Sequence, residues 1–103
     1  MPLSNEQKRQ YKAIAHNLNP IVIIGDKGLS EGLLAEVDRA LNDHELIKIK
    51  INIGEKEDRQ VIVDELVSSS QSELVQIIGK MAIIVRRNPK PNPKLSNILK
   101  AAQ

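Results

Sequence analysis

A Gly-x-x-Gly segment is the part of the sequence best suited to binding a ligand. Gly25 and Gly28 can adopt backbone angles that other residues avoid, and without side chains they let another backbone approach closely. Asp26 and Lys27 lie between them, and Lys27 adds a mobile cation. A helix is predicted to begin at Ser30, so its unpaired N–H groups and positive dipole end would point at the loop. This arrangement predicts a phosphate clamp, although two glycines at this spacing beside a strand also form ordinary tight turns.

The periodicity of apolar residues predicts the elements that must position this loop. Helices are predicted over about residues 5–17, 30–43 and 56–69, and strands over about 21–24, 46–53, 74–78 and 81–87. A capping box of Ser4 and Gln7 begins the first helix, and Gly79 with Lys80 suits a two-residue hairpin turn. The order α-β-α-β-α-β-β predicts an α/β fold in which three helices pack on the apolar face of a single mixed four-stranded sheet.

This topology is expected to gather cations around the glycine loop. The first helix should run antiparallel to the first strand, which would bring the start of the helix near the loop. The second strand should end at the same edge if it is parallel to the first, and open α/β sheets commonly bind ligands at that carboxyl edge. The cations expected beside Lys27 are Lys8, Arg9, Lys12, Lys50, Lys56 and Lys80.

Charge is distributed unevenly along the 103 residues. Lys80–Gln103 carries six cations and no carboxylate, whereas residues 1–79 carry nine cations and thirteen acids. The last quarter therefore has a formal charge of +6 and the rest of the chain −4. Such asymmetry is common in proteins that meet a polyanion, and a basic tail that only aids solubility would show it too.

The end of the sequence is rich in proline and lysine. This composition predicts an extended basic arm, residues 88–103, after a folded domain of residues 1–87, and a short helix could form near its end. Arg86 and Arg87 with the arm would make a second contact zone, and residues 88–103 should add little to stability. The competing expectation is that a helix in the arm docks three aliphatic side chains on the sheet.

The composition excludes several classes of protein. The sequence contains no cysteine, so it offers neither disulfides nor thiolate chemistry. It has no run of about 18 apolar residues and no charged-then-apolar leader, so neither a membrane span nor a secretory signal is expected. A cytoplasmic protein with no membrane partner is predicted. Tyr11 is the only aromatic residue, so bases cannot be stacked as they are in an RRM.

The remaining polar residues have ordinary structural interpretations. His16 and His44 fall at predicted helix ends, where an imidazole can bond terminal carbonyls. Without cysteine or a Glu-x-x-His pattern they give no metal-ligand spacing, so no metal or other cofactor is predicted. The carboxylates within residues 55–58 suit the dipole of a first helical turn better than a paired-acid catalytic site. Lys48 and Lys50 could bind a ligand, or they could simply be the solvated residues of an exposed strand face.

A set of short motifs covers about residues 4–87 in a recognisable order. They are Ala15-His16 with Leu18 and Pro20, Ile24-Gly25-Asp26-Lys27-Gly28-Leu29, Ala40-Leu41, His44-Glu45-Leu46-Ile47-Lys48, Val75-Gln76-Ile77-Ile78-Gly79-Lys80 and Arg86. Together they resemble the CRM domain, named for chloroplast RNA splicing and ribosome maturation, in its stand-alone bacterial YhbY-like form. The resemblance implies a fold like the C-terminal domain of bacterial translation initiation factor three and a KH-like loop for RNA. The sequence departs from the family at Val85, where a tyrosine is usual.

These observations predict a non-catalytic protein that grips the RNA backbone at the glycine loop. The partner that the resemblance implies is large-subunit ribosomal RNA or its precursor particle, and a monomer is favoured. Intrinsic sequence specificity should be low, because the candidate residues suit phosphates and 2′-hydroxyls. Two alternatives stay open. One is a protein-interaction adaptor that uses the polar sheet face and the arm, and the other is a small enzyme for a phosphorylated metabolite, which lacks a visible nucleophile, acid–base pair or metal set.

Overall fold

Four strands form one mixed sheet that carries helices on both faces. The computed structural model describes residues 3–101, without the side chain of Lys56. The elements in chain order are α1 (Asn5–Ala15), β1 (Val22–Ile24), α2 (Glu31–His44), β2 (Leu46–Ile51), α3 (Lys56–Ser70), β3 (Glu73–Ile78), β4 (Met81–Val85) and α4 (Asn97–Ala101). The predicted α/β fold with a single mixed four-stranded sheet is confirmed. Its expected likeness to the translation factor domain stays a prediction.

The strand order β1-β2-β4-β3 places two groups of connections at opposite edges of the sheet. β1 and β2 are parallel, as predicted, and β4 is antiparallel to both β2 and β3. The carboxyl ends of β1 and β2 therefore lie beside the β3–β4 turn, where the Ile51 N–H donates to the Lys80 carbonyl at 2.7 Å. We call this side, with residues 25–28, 52–55 and 79–80, the loop edge. The opposite side, where β2 begins at Leu46 and β4 ends at Val85, is the tail edge.

Alternation along β2 separates two hydrophobic cores. Ile47, Ile49 and Ile51 are buried on the face covered by α2 and α3. Leu46 is buried on the other face, with Tyr11 of α1 among its neighbours. A fully buried aliphatic side chain contributes about 1.5–3 kcal/mol to the free energy of folding. Burial on each face of the sheet therefore stabilises the packing of the helices on that face.

The placement of α1 differs from the sequence-based expectation. Its apolar residues pack against Val75, Ile83 and Val85, on the face opposite α2 and α3. The start of α1 lies at the tail edge, where Leu3 and Gln7 line a cavity together with residues at the end of β4. The expectation that α1 runs back along β1 toward the glycine loop is therefore wrong. The physical reason is that β1 is a three-residue edge strand, whereas β3 and β4 offer α1 a wider apolar surface.

The expectation of an extended arm beyond Arg87 is also corrected by the structure. Asn92 organises a turn, in which its carbonyl accepts the N–H groups of Leu95 at 3.0 Å and Ser96 at 2.8 Å. The turn leads into α4, whose Ile98 packs on the α1 core. The competing expectation of a docked short helix describes this segment better. The division into residues 1–87 and 88–103 stays a prediction, but the two parts are packed together.

A buried carboxylate holds this C-terminal segment to the core. Glu45 is 1% exposed and has φ of 61°, which is unusual for a residue other than glycine. Its Oε2 accepts the Asn88 N–H at 2.6 Å, and its Oε1 accepts the hydroxyl of the fully buried Ser96 at 2.6 Å. Asn97 adds a bond from its Nδ2 to the Leu46 carbonyl at 2.7 Å. Residues 88–97 are therefore anchored to the core by polar contacts, because they donate two hydrogen bonds to the buried Glu45 carboxylate, whose Oε2 also lies 3.8 Å from the Arg87 Nε.

Candidate functional site

The glycine loop has the geometry of a closed turn that leads directly into a capped helix. The Gly28 N–H donates to the Gly25 carbonyl at 2.9 Å, and Asp26 and Lys27 are exposed at the tip. The Ser30 hydroxyl accepts the Leu33 N–H at 3.2 Å and so caps α2. The other N–H groups of the first turn of α2 are left facing the loop, where they suit an anion.

The backbone conformation of the loop favours glycine at one of the two positions but not at the other. Gly28 has φ of 63°, in the left-handed region, so the turn itself favours glycine there. Gly25 does not have a positive φ, and a Cβ atom there would meet no atom within 4 Å. The fold therefore has no need of glycine at position 25. The space over both residues is open, which is the steric condition for close approach of another backbone.

Three lysines lie at or next to the loop edge. Lys27 is at the tip of the loop, and Lys80 is exposed in the β3–β4 turn, where Gly79 has φ of 56°. Lys50 is half-buried on β2, paired in register with Ile23 of β1 and Met81 of β4. Within residues 3–101 the structure gives none of the three a carboxylate partner. Their charges are therefore available to a ligand.

Lys12 lies over the sheet instead of beside the loop. It lines a cleft between the C-terminal part of α1 and the three longer strands, which we call the α1 cleft. The lining residues are Lys12, His16, Lys48, Gln76, Ile78, Met81 and Ile83. Lys48 and Lys50 point to the same face because they alternate with the buried isoleucines of β2, so the cleft adjoins the loop edge through Lys50.

The structure does not bring Lys8 and Arg9 to the glycine loop. Both lie in the first half of α1, whose start is at the tail edge. Their expected role as RNA contacts is untested, but it cannot depend on proximity to Lys27. Lys56 begins α3 at the loop edge, as expected, and its side chain lies outside the described part of the structure.

Arg86 and Arg87 are at the tail edge and are engaged by the protein. Arg86 donates from Nη1 to the Ser70 carbonyl at 2.8 Å and from Nη2 to the Asp38 carbonyl at 3.0 Å. It also forms an ion pair with the Asp38 carboxylate at 2.9 Å. Arg87 is more exposed and lies 3.3 Å from the Tyr11 hydroxyl. Contact of either arginine with RNA stays an untested prediction, and the geometry favours a structural role for Arg86.

The structure shows the surroundings of three further residues that the sequence analysis singled out. Val85, where the resemblance led us to expect a tyrosine, is 2% exposed and packs beneath α1, so it presents no surface to a ligand. His44 ends α2 as expected, and its Nδ1 lies 2.9 Å from the Leu95 carbonyl oxygen in the C-terminal segment. His16 is the C-cap of α1, and its ring lines the α1 cleft.

The chemistry available at these surfaces is binding through charge and backbone contacts. Among the described residues no group of three or more His, Asp and Glu side chains could hold a metal ion. A search of the same residues finds no helix long and apolar enough to cross a membrane. Sequence reasoning identified the loop but missed the α1 cleft, because its residues come from four separate elements. The alternation of lysine with isoleucine along β2 was the one available signal of a basic sheet face.

Comparison with known proteins agrees with this geometry. The family model of the CRS1 / YhbY (CRM) domain matches residues 3–86. A protein of Pseudomonas aeruginosa named as a probable RNA-binding protein is 56% identical over 102 residues, which are 99% of this chain and 98% of the relative. A Haemophilus influenzae protein named as an RNA-binding protein is 44% identical over 84 residues, 82% of this chain and 85% of that protein.

A solved structure is similar to this chain in both fold and sequence. The solution structure of a Staphylococcus aureus protein, described as a candidate RNA-binding protein, superposes with a TM-score of 0.77 at 34% sequence identity. The match covers 91% of this chain and 97% of that chain. These relatives are named for RNA binding and none for an enzymatic activity.

Proposed function

The chain belongs to the CRS1 / YhbY (CRM) domain family, and we propose that it binds RNA by holding the sugar-phosphate backbone at the glycine loop. The observation that carries the proposal is the open surface over Gly25 and Gly28, with no atom within 4 Å of either Cβ position. Gly25 supports it most directly, because the fold would accept a side chain there, so close approach of a ligand backbone gives this glycine a role that the fold does not.

Phosphates supply the complementary chemistry. The loop presents backbone N–H groups at the start of α2, and Lys27, Lys50 and Lys80 place three cations without carboxylate partners among the described residues around it. A strand that passes the loop would release counterions from each neutralised phosphate, so binding should be salt-dependent. Tyr11, the one aromatic residue, is 4% exposed, so extensive base stacking does not contribute.

We further propose that the RNA is large-subunit ribosomal RNA or its precursor particle, and that the protein acts there as a cytoplasmic monomer. This part rests on the resemblance to the YhbY-like proteins. Sedimenting a cell lysate through a gradient and probing the ribosomal fractions tests it. Cosedimentation with large-subunit precursors supports the proposal. A protein that stays at the top of the gradient at low salt contradicts it without affecting RNA binding as such.

The loop is tested by adding a side chain and a negative charge where the fold tolerates both. Gly25→Asp should keep the unfolding midpoint and weaken binding to single-stranded RNA at least tenfold, because bulk and charge both oppose a phosphate. Asn5→Asp is the matched control, since it adds one negative charge on an exposed residue of α1, away from the loop. Filter binding at fixed salt measures both. Equal affinities of folded Gly25→Asp and wild type would remove the loop from the mechanism.

A further inference from the structure

The α1 cleft is a second concave surface on the face of the sheet that bears Lys48 and Lys50. It has a volume of about 180 Å³. Ile83 is buried at its base, whereas Ile78 is 57% exposed on its wall. Ile78 therefore offers apolar surface to a ligand that enters the cleft.

The size of the cleft suits one six-membered ring. An engineered apolar cavity of about 150 Å³ holds a benzene molecule, so a cleft of this volume accommodates a pyrimidine more readily than the larger purine. Met81 adds a flexible, polarisable wall that adapts to a flat ring.

The polar groups of the cleft match a nucleobase joined to a phosphate. Lys12 and Lys48 border the apolar surface, no acidic residue lines it, and within residues 3–101 neither lysine has a carboxylate partner. Gln76 contributes an amide that both donates and accepts, and the His16 imidazole can stack on a base. Within the described part of the chain, the side chains of His16 and Gln76 make no hydrogen bond to another protein group, so both can bond a ligand. The charge complements a polyanion, and the amide complements a base edge.

The cleft lies two strands across the sheet, about 10 Å, from the strand that leads into the glycine loop. Met81 of the cleft pairs in register with Lys50, and Lys50 pairs with Ile23, two residues before Gly25. We propose that the α1 cleft receives one unpaired pyrimidine base from the RNA strand whose backbone the glycine loop holds. This inference rests on the proposed RNA binding and adds a base-reading site to it, with Gln76 as the specificity-determining residue.

The test compares binding of oligouridine and oligoadenosine of equal length at equal salt. Wild type should prefer oligouridine, and Gln76→Ala should reduce that preference by about fivefold to tenfold, the loss expected when one base contact is removed. Gln10→Ala is the matched control, because Gln10 is exposed on α1 and lies outside the cleft. Gly25→Asp should weaken the binding of both oligonucleotides by the same factor, so the ratio of the two affinities should stay unchanged.

The outcomes separate this inference from the proposed function. Equal wild-type affinity for the two oligonucleotides, or an unchanged ratio in folded Gln76→Ala, overturns the cleft assignment while RNA binding stands. Absence of binding to either oligonucleotide contradicts the proposed function, and this inference falls with it. Photocrosslinking of 4-thiouridine RNA to wild type gives a measurement independent of variant folding. Crosslinks to peptides containing His16 or Met81 support the inference, and crosslinks confined to other surfaces contradict it.

Discussion

The loop edge and the tail edge of the sheet both carry basic residues, but they use them differently. At the loop edge, which contains an open backbone turn, Lys27, Lys50 and Lys80 have no carboxylate partner among the described residues. At the tail edge, Arg86 and Arg87 donate to acceptors of the protein itself. The planar guanidinium, with several fixed donors, suits the joining of elements, whereas lysine offers one mobile point charge to a ligand. A count of positive charges therefore overstates the binding surface at the tail edge.

The tail edge also contains a polar network around a buried carboxylate. The buried Glu45 carboxylate accepts from Asn88 and Ser96 and draws residues 88–97 onto the core. Hydrogen-bonded charges of this kind are costly to leave without partners. The basic residues of the tail edge therefore stabilise the fold, whereas those of the loop edge are open to a ligand.

The largest expected effect is that of deleting residues 88–103. The deletion removes two donors to the buried Glu45 carboxylate and the apolar contact of Ile98, so it should destabilise the fold by about 3–5 kcal/mol. For a domain of this size the unfolding midpoint should fall by more than about 10 °C, measured by calorimetry. The double variant Lys90→Ala/Lys94→Ala is the control and should keep the midpoint. An unchanged midpoint after deletion would restore the interpretation of this segment as a peripheral arm.

Arg86→Ala should have the next largest effect on stability. It leaves the carbonyl oxygens of Ser70 and Asp38 without their charged donor, which should cost about 1.5–3 kcal/mol in the free energy of unfolding. The exposed ion pair with Asp38 adds little to this. Urea denaturation measures the change, and RNA affinity of the folded variant should equal that of wild type. A weakened affinity at full stability would instead place Arg86 in the binding surface.

Alanine at the two glycines of the loop should separate backbone strain from ligand contact. Gly28→Ala should lower stability by about 1–2 kcal/mol because its φ is positive, whereas Gly25→Ala should leave stability unchanged. Both should weaken RNA binding, since each adds a Cβ to the surface that the RNA approaches. Thermal unfolding and fluorescence anisotropy on the same preparations provide the comparison. If Gly25→Ala binds RNA as well as wild type, close backbone approach at that residue is ruled out.

The smallest effect expected is on the salt dependence of binding. Neutralising about four to six phosphates should give a slope of roughly −3 to −4 in log K against log salt on single-stranded RNA. Lys27→Ala should make the slope shallower by about 0.7 and reduce affinity by about 1 kcal/mol. Lys94→Ala at the tail edge is the matched control and should leave the slope unchanged. A slope near zero for wild type would favour the adaptor function.

The local and chemically distinctive parts of this protein could be predicted from its residues alone. The alternation of isoleucine with lysine in β2 decided which face of that strand is buried, because side chains along a strand alternate with a period of two. The glycine loop, its following helix cap at Ser30 and the turn at Gly79 depend on residues close together in the chain, so they could be predicted.

Which charges are free, and where α1 and the C-terminal segment pack, depend on contacts between residues distant in the sequence. Lys8 and Arg86 looked alike as surface cations, but their surroundings depend on helices whose docking is set by apolar contacts distant in sequence. Glu45 gave no sign that it would be buried, because its partners, Asn88 and Ser96, are more than 40 residues away. Periodicity reports which face of an element is apolar, but it does not report which other element covers that face.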